Sequence, residues 1–129
     1  MDIVDVSDVE SSIARFGERY LHRVYTDGEL TACGSGADAR RLAAHFAAKE
    51  AALKTLLATD RDVDWRSIEV VVRSTGQAEL VLSGTAAEIA KDEGIVGFAV
   101  SVGTTRHHAT AVVAAEGSAE GNEGRHGIE

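Results

Sequence analysis

Cysteine is nearly missing from this chain, with Cys33 the single example in 129 residues. A lone thiol excludes an intramolecular disulfide and fits a reducing, cytoplasmic setting. Nothing beside Cys33 marks it as reactive, so a small core or loop position is expected. Also missing is any apolar run long enough to span a bilayer, so no membrane partner is expected. Basic residues are few. The chain has 13 Lys and Arg against 21 Asp and Glu, a formal net charge of −8, which argues against nonspecific nucleic-acid binding. No basic residue precedes Arg15, while Asp2, Asp5, Asp8 and Glu10 crowd the start, so the N-terminus does not read as a signal peptide. There is no internal repeat. From Gly117 onward the chain is Gly, Ser, Asn and Glu with almost no apolar residues, and a disordered tail is expected over residues 117–129.

What is present suits one small domain over residues 1–116. The hydrophobic fraction is an ordinary 44%, and a chain of this length buries one core and little more. A short strand is expected at residues 3–6, then a helix over residues 9–20 capped by Ser7 or Asp8. Thr26 and Glu29 have capping-box spacing and open a short helical turn. Gly34-Ser-Gly36 reads as a loop, after which Asp38 can cap a long helix. Residues 67–73 and 79–83 alternate or are β-branched around a Ser-Thr-Gly turn, the pattern of a hairpin. A helix over residues 85–92 ends near Gly94. Residues 96–102 and 109–115 form a second hairpin. Strand, helices, hairpin, helix, hairpin is an α+β order with an antiparallel sheet and packed helices.

The long helix holds the most informative stretch, residues 42–57. At about 100° per residue, Leu42, Leu53 and Leu57 fall within about 40° of Phe46. Glu50 lies about 40° to one side, on the edge of that apolar stripe. Lys54 is one turn further on, close enough for the two side chains to meet. A half-buried carboxylate is costly unless a cation compensates it. Glu50 is therefore a candidate metal ligand or catalytic group, against the alternative of an ordinary Glu–Lys pair on a helix surface.

Phe46-Ala-Ala-Lys-Glu-Ala-Ala-Leu-Lys54 resembles the signature helix of the holo-acyl-carrier-protein synthases, the small phosphopantetheinyl transferases, whose pattern is roughly R-F-A-A-K-E-A-x-x-K-A. Asp2-Ile-Val-Asp5 is similar to the end of G-x-D-I-V-E. Val24-Tyr-Thr-Asp-Gly-Glu-Leu-Thr-Ala-Cys33 is similar to F-T-x-x-E-L-x-x-C. Trp65-Arg-Ser-Ile-Glu-Val70 with Gly76-Gln-Ala matches a D-I-E-V strand followed by G-x-P. Residues 99–111 match V-S-L-S-H-T-x-x-Y-A-x-A. Order and spacing agree over about residues 2–115. The resemblance implies a phosphopantetheinyl transferase-like fold, a homotrimer with active sites between subunits, and Mg²⁺-dependent transfer of 4′-phosphopantetheine from coenzyme A to a serine of an acidic acyl carrier protein. A hard cation held by carboxylates, with waters and substrate oxygens completing its shell, suits attack on a pyrophosphate. Residue by residue, Asp2 and Glu50 match the metal ligands, and Lys49 and Lys54 match cations that contact phosphates. Glu50, or a water on the cation, is the candidate to take the serine proton, with Lys54 beside it. Arg15, Arg19 and Arg23 recur every four residues and would form a row for the carrier if the first helix ran that far, or else a solvated face.

The departures from the pattern are equally specific. The family has a half-strand before its Asp, so Asp2 is expected on a frayed end. Asp8 stands in a region where the family often carries a basic residue. His45 replaces the Arg before F-A-A-K-E. The chain has no proline, and Ala78 stands where G-x-P would place one. Ser101-Val-Gly-Thr104 replaces S-x-S-H. Of His107 and His108, adjacent residues that face opposite ways on a strand, at most one could stand in for that His. Thr104 with its hydroxyl and Arg106 with a bidentate phosphate contact are the expected coenzyme A ligands in this loop. These changes keep open a second reading, a noncatalytic or repurposed relative that retains the fold and coenzyme A or nucleotide binding.

Overall fold

The computed structural model describes residues 1–56 and 62–117. Leu57 of the expected apolar stripe and residues 118–129 of the expected tail lie outside the described residues. The elements in order are β1 (Asp2–Asp5), α1 (Val6–Phe16), α2 (Glu18–Val24), α3 (Asp27–Ala32), α4 (Ala39–Thr55), a 3₁₀ turn (Trp65–Ser67), β2 (Ile68–Val72), β3 (Ala78–Leu82), α5 (Gly84–Asp92), β4 (Ile95–Thr104) and β5 (His108–Gly117). The expected α+β class is borne out. Gly117 closes β5, so it does not begin the tail.

All pairings are antiparallel. One sheet has the order β1-β5-β4 and a smaller one is the β2–β3 hairpin. Asp2 pairs with Ala111, and Ala111 with Val102, so these three residues share one rung. This corrects the expectation for Asp2: β5 holds it in a ladder, not on a frayed end. One rung pair on, Val4, Ala109 and Thr104 are aligned in the same way.

The first helix stops earlier than its pattern suggests. Gly17 adopts φ +54°, which a residue with a Cβ rarely tolerates, and separates α1 from α2. Arg15 ends α1, while Arg19 and Arg23 sit on α2, so the expected single row of three arginines does not exist. The N-cap of α1 is Asp5 without a side-chain bond, in place of Ser7 or Asp8. Two expected caps do form. Thr26 Oγ1 accepts from Glu29 N at 3.1 Å while Glu29 Oε1 accepts from Thr26 N at 2.9 Å, and Asp38 Oδ1 accepts from Arg41 N at 3.1 Å.

Helix α4 is the axis of the core. It packs on the inner face of the three-stranded sheet and on β2, and Leu42, Ala43, Ala44, Ala47, Ala48, Ala51 and Ala52 are all buried. A helix buried almost all round has no single apolar stripe. Of the stripe expected around Phe46, Leu42 is buried but Phe46 and Leu53 are only half-buried, and Phe46 stacks obliquely on Trp65 with ring centroids 5.0 Å apart. Alanines fill most of its buried positions, with Ala109 and Ala111 of β5 also buried.

Candidate active site

Two clusters flank α4. The first joins β1 to the C-terminal half of α4. Lys54 Nζ donates to Asp2 Oδ1 at 2.7 Å, and the Asp2 side chain is 9% exposed against 65% for Lys54. Asp2 Oδ2 is buried with no hydrogen-bond partner. Such an orphaned carboxylate oxygen is costly unless something else binds it. Glu50 lies on the same side of α4, half-buried. Burial raises its carboxyl above the usual range, and the Asp2 charge raises it further, while the Lys54 ammonium works the other way. The structure thus brings together Asp2, Glu50 and Lys54, as the sequence suggests.

Among the described residues no group of three or more His, Cys, Asp or Glu could hold a metal ion. Two carboxylates with an unsatisfied oxygen nevertheless fit Mg²⁺, which binds through one or two carboxylates and takes waters and substrate phosphates for the rest. A zinc-type site, with three or four protein ligands, is not what these residues offer.

The second cluster lies at the end of the sheet where β4 turns into β5. A cavity of about 1270 Å³ opens there, lined among others by Thr104, Arg106, His107, Arg40, Arg41 and His45. The expected ligands Thr104 and Arg106 share this cavity. His107 lines it too, whereas His108 Nε2 turns to Asp5 Oδ1 at 3.1 Å. Arg40 and Arg41, on the first turn of α4, add cationic groups that sequence reasoning missed. Arg41 is partly engaged, donating to the Ala32 carbonyl at 3.2 Å and facing Asp38 at 3.4 Å. The two adjacent arginines precede the Phe46–Lys54 motif by several residues, and nothing in their local pattern marks them as ligands. Asp2, Glu50 and Lys54 do not line this cavity, so within one chain the carboxylates and the arginines form separate clusters.

Lys49 requires a correction. It was expected to reach a phosphate, yet it is 0% exposed and fully engaged inside the protein. Its ammonium pairs with Glu29 Oε1 at 2.7 Å and donates to the carbonyls of Trp65 at 2.8 Å and Ile68 at 2.5 Å. Glu29 is equally buried. Its Oε2 accepts from Val70 N at 2.9 Å and lies 3.4 Å from His45 Nδ1. Burial alone would raise the Glu29 carboxyl, but the His45 contact, the Lys49 charge and the hydrogen bonds from Lys49 and Thr26 outweigh it and hold the group below the usual carboxylate range. The capping box was legible in the sequence, but the burial of its acid was not.

The three arginines expected to meet a partner are exposed. The Arg15 guanidinium lies 5.3 Å from the Phe16 ring centroid, and Phe16 is itself half exposed. Cys33 is buried, and burial followed by the nearby charges of Glu29 and Asp38 pushes its thiol up to about 12, as an inert core cysteine requires. No helix among the described residues is long and apolar enough to cross a membrane.

Comparison with known proteins agrees with this geometry. A family model described as the 4′-phosphopantetheinyl transferase superfamily matches residues 1–113. A holo-[acyl-carrier-protein] synthase of Carboxydothermus hydrogenoformans is 42% identical over 113 residues, covering 87% of this chain and 91% of the relative. One from Koribacter versatilis is 42% identical over 118 residues, covering 90% and 94%. The solved ACPS–CoA complex of Chronobacterium ammoniagenes superposes with a TM-score of 0.77 at 25% identity, covering 91% of this chain and 94% of that one. With the carboxylate cluster, the cationic cavity and these matches over most of its length, the chain belongs to the 4′-phosphopantetheinyl transferase superfamily.

Proposed function

We propose that the chain is a holo-[acyl-carrier-protein] synthase. It transfers 4′-phosphopantetheine from coenzyme A to a serine of an apo-acyl carrier protein and releases 3′,5′-adenosine bisphosphate. The observation that carries this reading is the Asp2–Lys54–Glu50 cluster, with one Asp2 oxygen buried and unsatisfied. Relatives of the same name match over nearly the whole chain, and a similar chain is known with coenzyme A.

Asp2 and Glu50 would hold Mg²⁺, which when bound neutralises charge on the pyrophosphate oxygens. Lys54, on the rim of the same cluster, offers its remaining protons to phosphate oxygens. Glu50 is the base for the carrier serine. A proton can pass to it directly or through one water. The serine oxygen forms its bond to phosphorus as the bond to the adenosine bisphosphate oxygen breaks. Arg106, Thr104 and Arg40 supply the donors for the adenosine-side phosphates.

A homotrimer joins the two clusters. One copy's carboxylates would then face another copy's arginine-lined cavity, and coenzyme A would lie across both. What supports this is the separation of the clusters within one chain and the apolar outer face of the sheet, where Ile3 is 60% and Val112 is 50% exposed. The acidic carrier docks on Arg19 and Arg23, which lie a turn apart on α2, with Arg15 on the preceding helix. The single buried thiol suits a cytoplasmic setting.

Intact-protein mass spectrometry of apo-carrier proteins incubated with the chain, coenzyme A and Mg²⁺ tests the reading. The expected result is a mass gain of one phosphopantetheine arm. A folded chain that modifies none of a panel of carriers would favour the noncatalytic alternative.

A further inference from the structure

Glu29 and Lys49 are buried and oppositely charged, and nothing in the chemistry above uses them. A well-packed apolar pair is often as stable as a buried ion pair, so stability alone does not account for this one. The geometry is unusually complete. An ammonium has three protons, and Lys49 faces three acceptors: Glu29 Oε1 on α3, the Trp65 carbonyl on the 3₁₀ turn and the Ile68 carbonyl at the start of β2. Glu29 is itself held by the amides of Thr26 and Val70. An ammonium that meets three separately anchored acceptors has a single position.

That position matters because of its neighbour. Glu50 follows Lys49 by about 100° around α4 and about 1.5 Å along it, so fixing one fixes the direction of the other. Most of the other buried positions of α4 hold alanines, whose short round side chains resist rotation about the helix axis poorly. Asp2, the partner carboxylate, is carried on a separate element, β1.

We propose that Lys49, anchored by Glu29, is a positioning residue whose three-point attachment sets the rotation of α4 that aims Glu50 at Asp2. The inference rests on the reading of Asp2 and Glu50 as the metal-binding pair. Lys49→Met alone leaves Glu29 buried without its cation, so the informative variant is the double substitution Glu29→Gln/Lys49→Met, which removes both charges. Glu29→Asp, which keeps the counter-charge but draws it back by one methylene, is read in the same way if the double variant does not fold. Folding is checked by circular dichroism, Mn²⁺ binding by loss of the free-ion EPR signal, and transfer by kcat and by KM for coenzyme A. The expected result is a folded protein with KM near wild type, kcat reduced about tenfold to a hundredfold, and Mn²⁺ bound about tenfold more weakly or worse. A folded variant with wild-type kcat and wild-type Mn²⁺ affinity overturns the proposal and leaves the pair a structural role only. A wild-type protein that binds no Mn²⁺ refutes the two-carboxylate reading instead, and kcat of the folded variant then decides the positioning role.

Discussion

Replacing Glu50 by Gln separates the structural and chemical roles of the carboxylate cluster. Burial and then the Asp2 charge raise the Glu50 carboxyl above its usual 4.5. The folded chain therefore holds this proton more tightly than the unfolded chain. Below the unfolded value both states are protonated and the group makes no difference. As pH rises through the window between 4.5 and the raised folded value, the native state loses relative stability, and above it the full cost is present. Gln carries no such cost at any pH. Because Glu50 is only half-buried, solvent screens the effect, and a gain of less than about 1 kcal/mol is expected at neutral pH. Without metal, Glu50→Gln should melt at or a few degrees above the wild type, with the difference vanishing near pH 4. Adding Mg²⁺ should reverse the order. At about 100 times its dissociation constant a ligand adds about 2.7 kcal/mol to the form that binds it, and only the wild type keeps both carboxylates. Scanning calorimetry at pH 4 and pH 7.5, with and without Mg²⁺, reads all four conditions, and transfer should be abolished in the variant. An unfolded variant, or one with wild-type activity per folded molecule, would show that Glu50 is structural and that its place beside Asp2 serves packing.

Other expectations come from the same geometry. Arg106→Ala should weaken coenzyme A binding about tenfold to a hundredfold by calorimetry, the worth of a charge-assisted phosphate contact, while His108→Ala, which turns to Asp5, should change it little. Glu29→Ala leaves Lys49 buried without its counter-charge and should cost about 3–5 kcal/mol at pH 7 in denaturant unfolding. Since Glu29 is held below its usual value of 4.5, its contribution is present above that value and lost as pH falls through the depressed one, so the gap between wild type and variant should narrow in strong acid. Light scattering should give a trimer mass for the wild type and a smaller species for Ile3→Glu/Val112→Glu, which places charge on the exposed sheet face.

Elements whose signals are local were legible in the sequence. The Thr26–Glu29 box, the Asp38 cap and both hairpins depend on residues within a few positions of one another, and each formed where its pattern lay. The carboxylate cluster was legible for a different reason. Asp2 and Lys54 are 52 positions apart, and only the resemblance placed them together. What the pattern could not show was the environment of each charge. Lys49 and Lys54 look alike in the sequence, yet one is sealed between α3 and β2 and the other stands in solvent. Helical periodicity also misjudged α4, because alanines add little to an apolar stripe although they fill most of its buried positions. Gly17 was read through as helix, since a single glycine within an amphipathic pattern is often tolerated. The arginines at the start of α4 share a cavity with the β4–β5 turn only through the tertiary fold, which no local pattern encodes.

The alanine sheath of α4 has a further consequence, for conformational freedom. Burying an alanine freezes no side-chain torsion, so seating this helix against β5 costs almost no rotamer entropy. Such an interface also has no alternative rotamers through which it could relax. A larger residue at Ala47, Ala48 or Ala51, each fully buried, meets packed neighbours, and the strand must give way to make room. Asp2 is held beside the helix by the ladder that joins β1 to β5 and by Lys54. One added methyl group deep in the core would therefore be felt first as a wider gap between the two carboxylates, and activity would fail before the fold did.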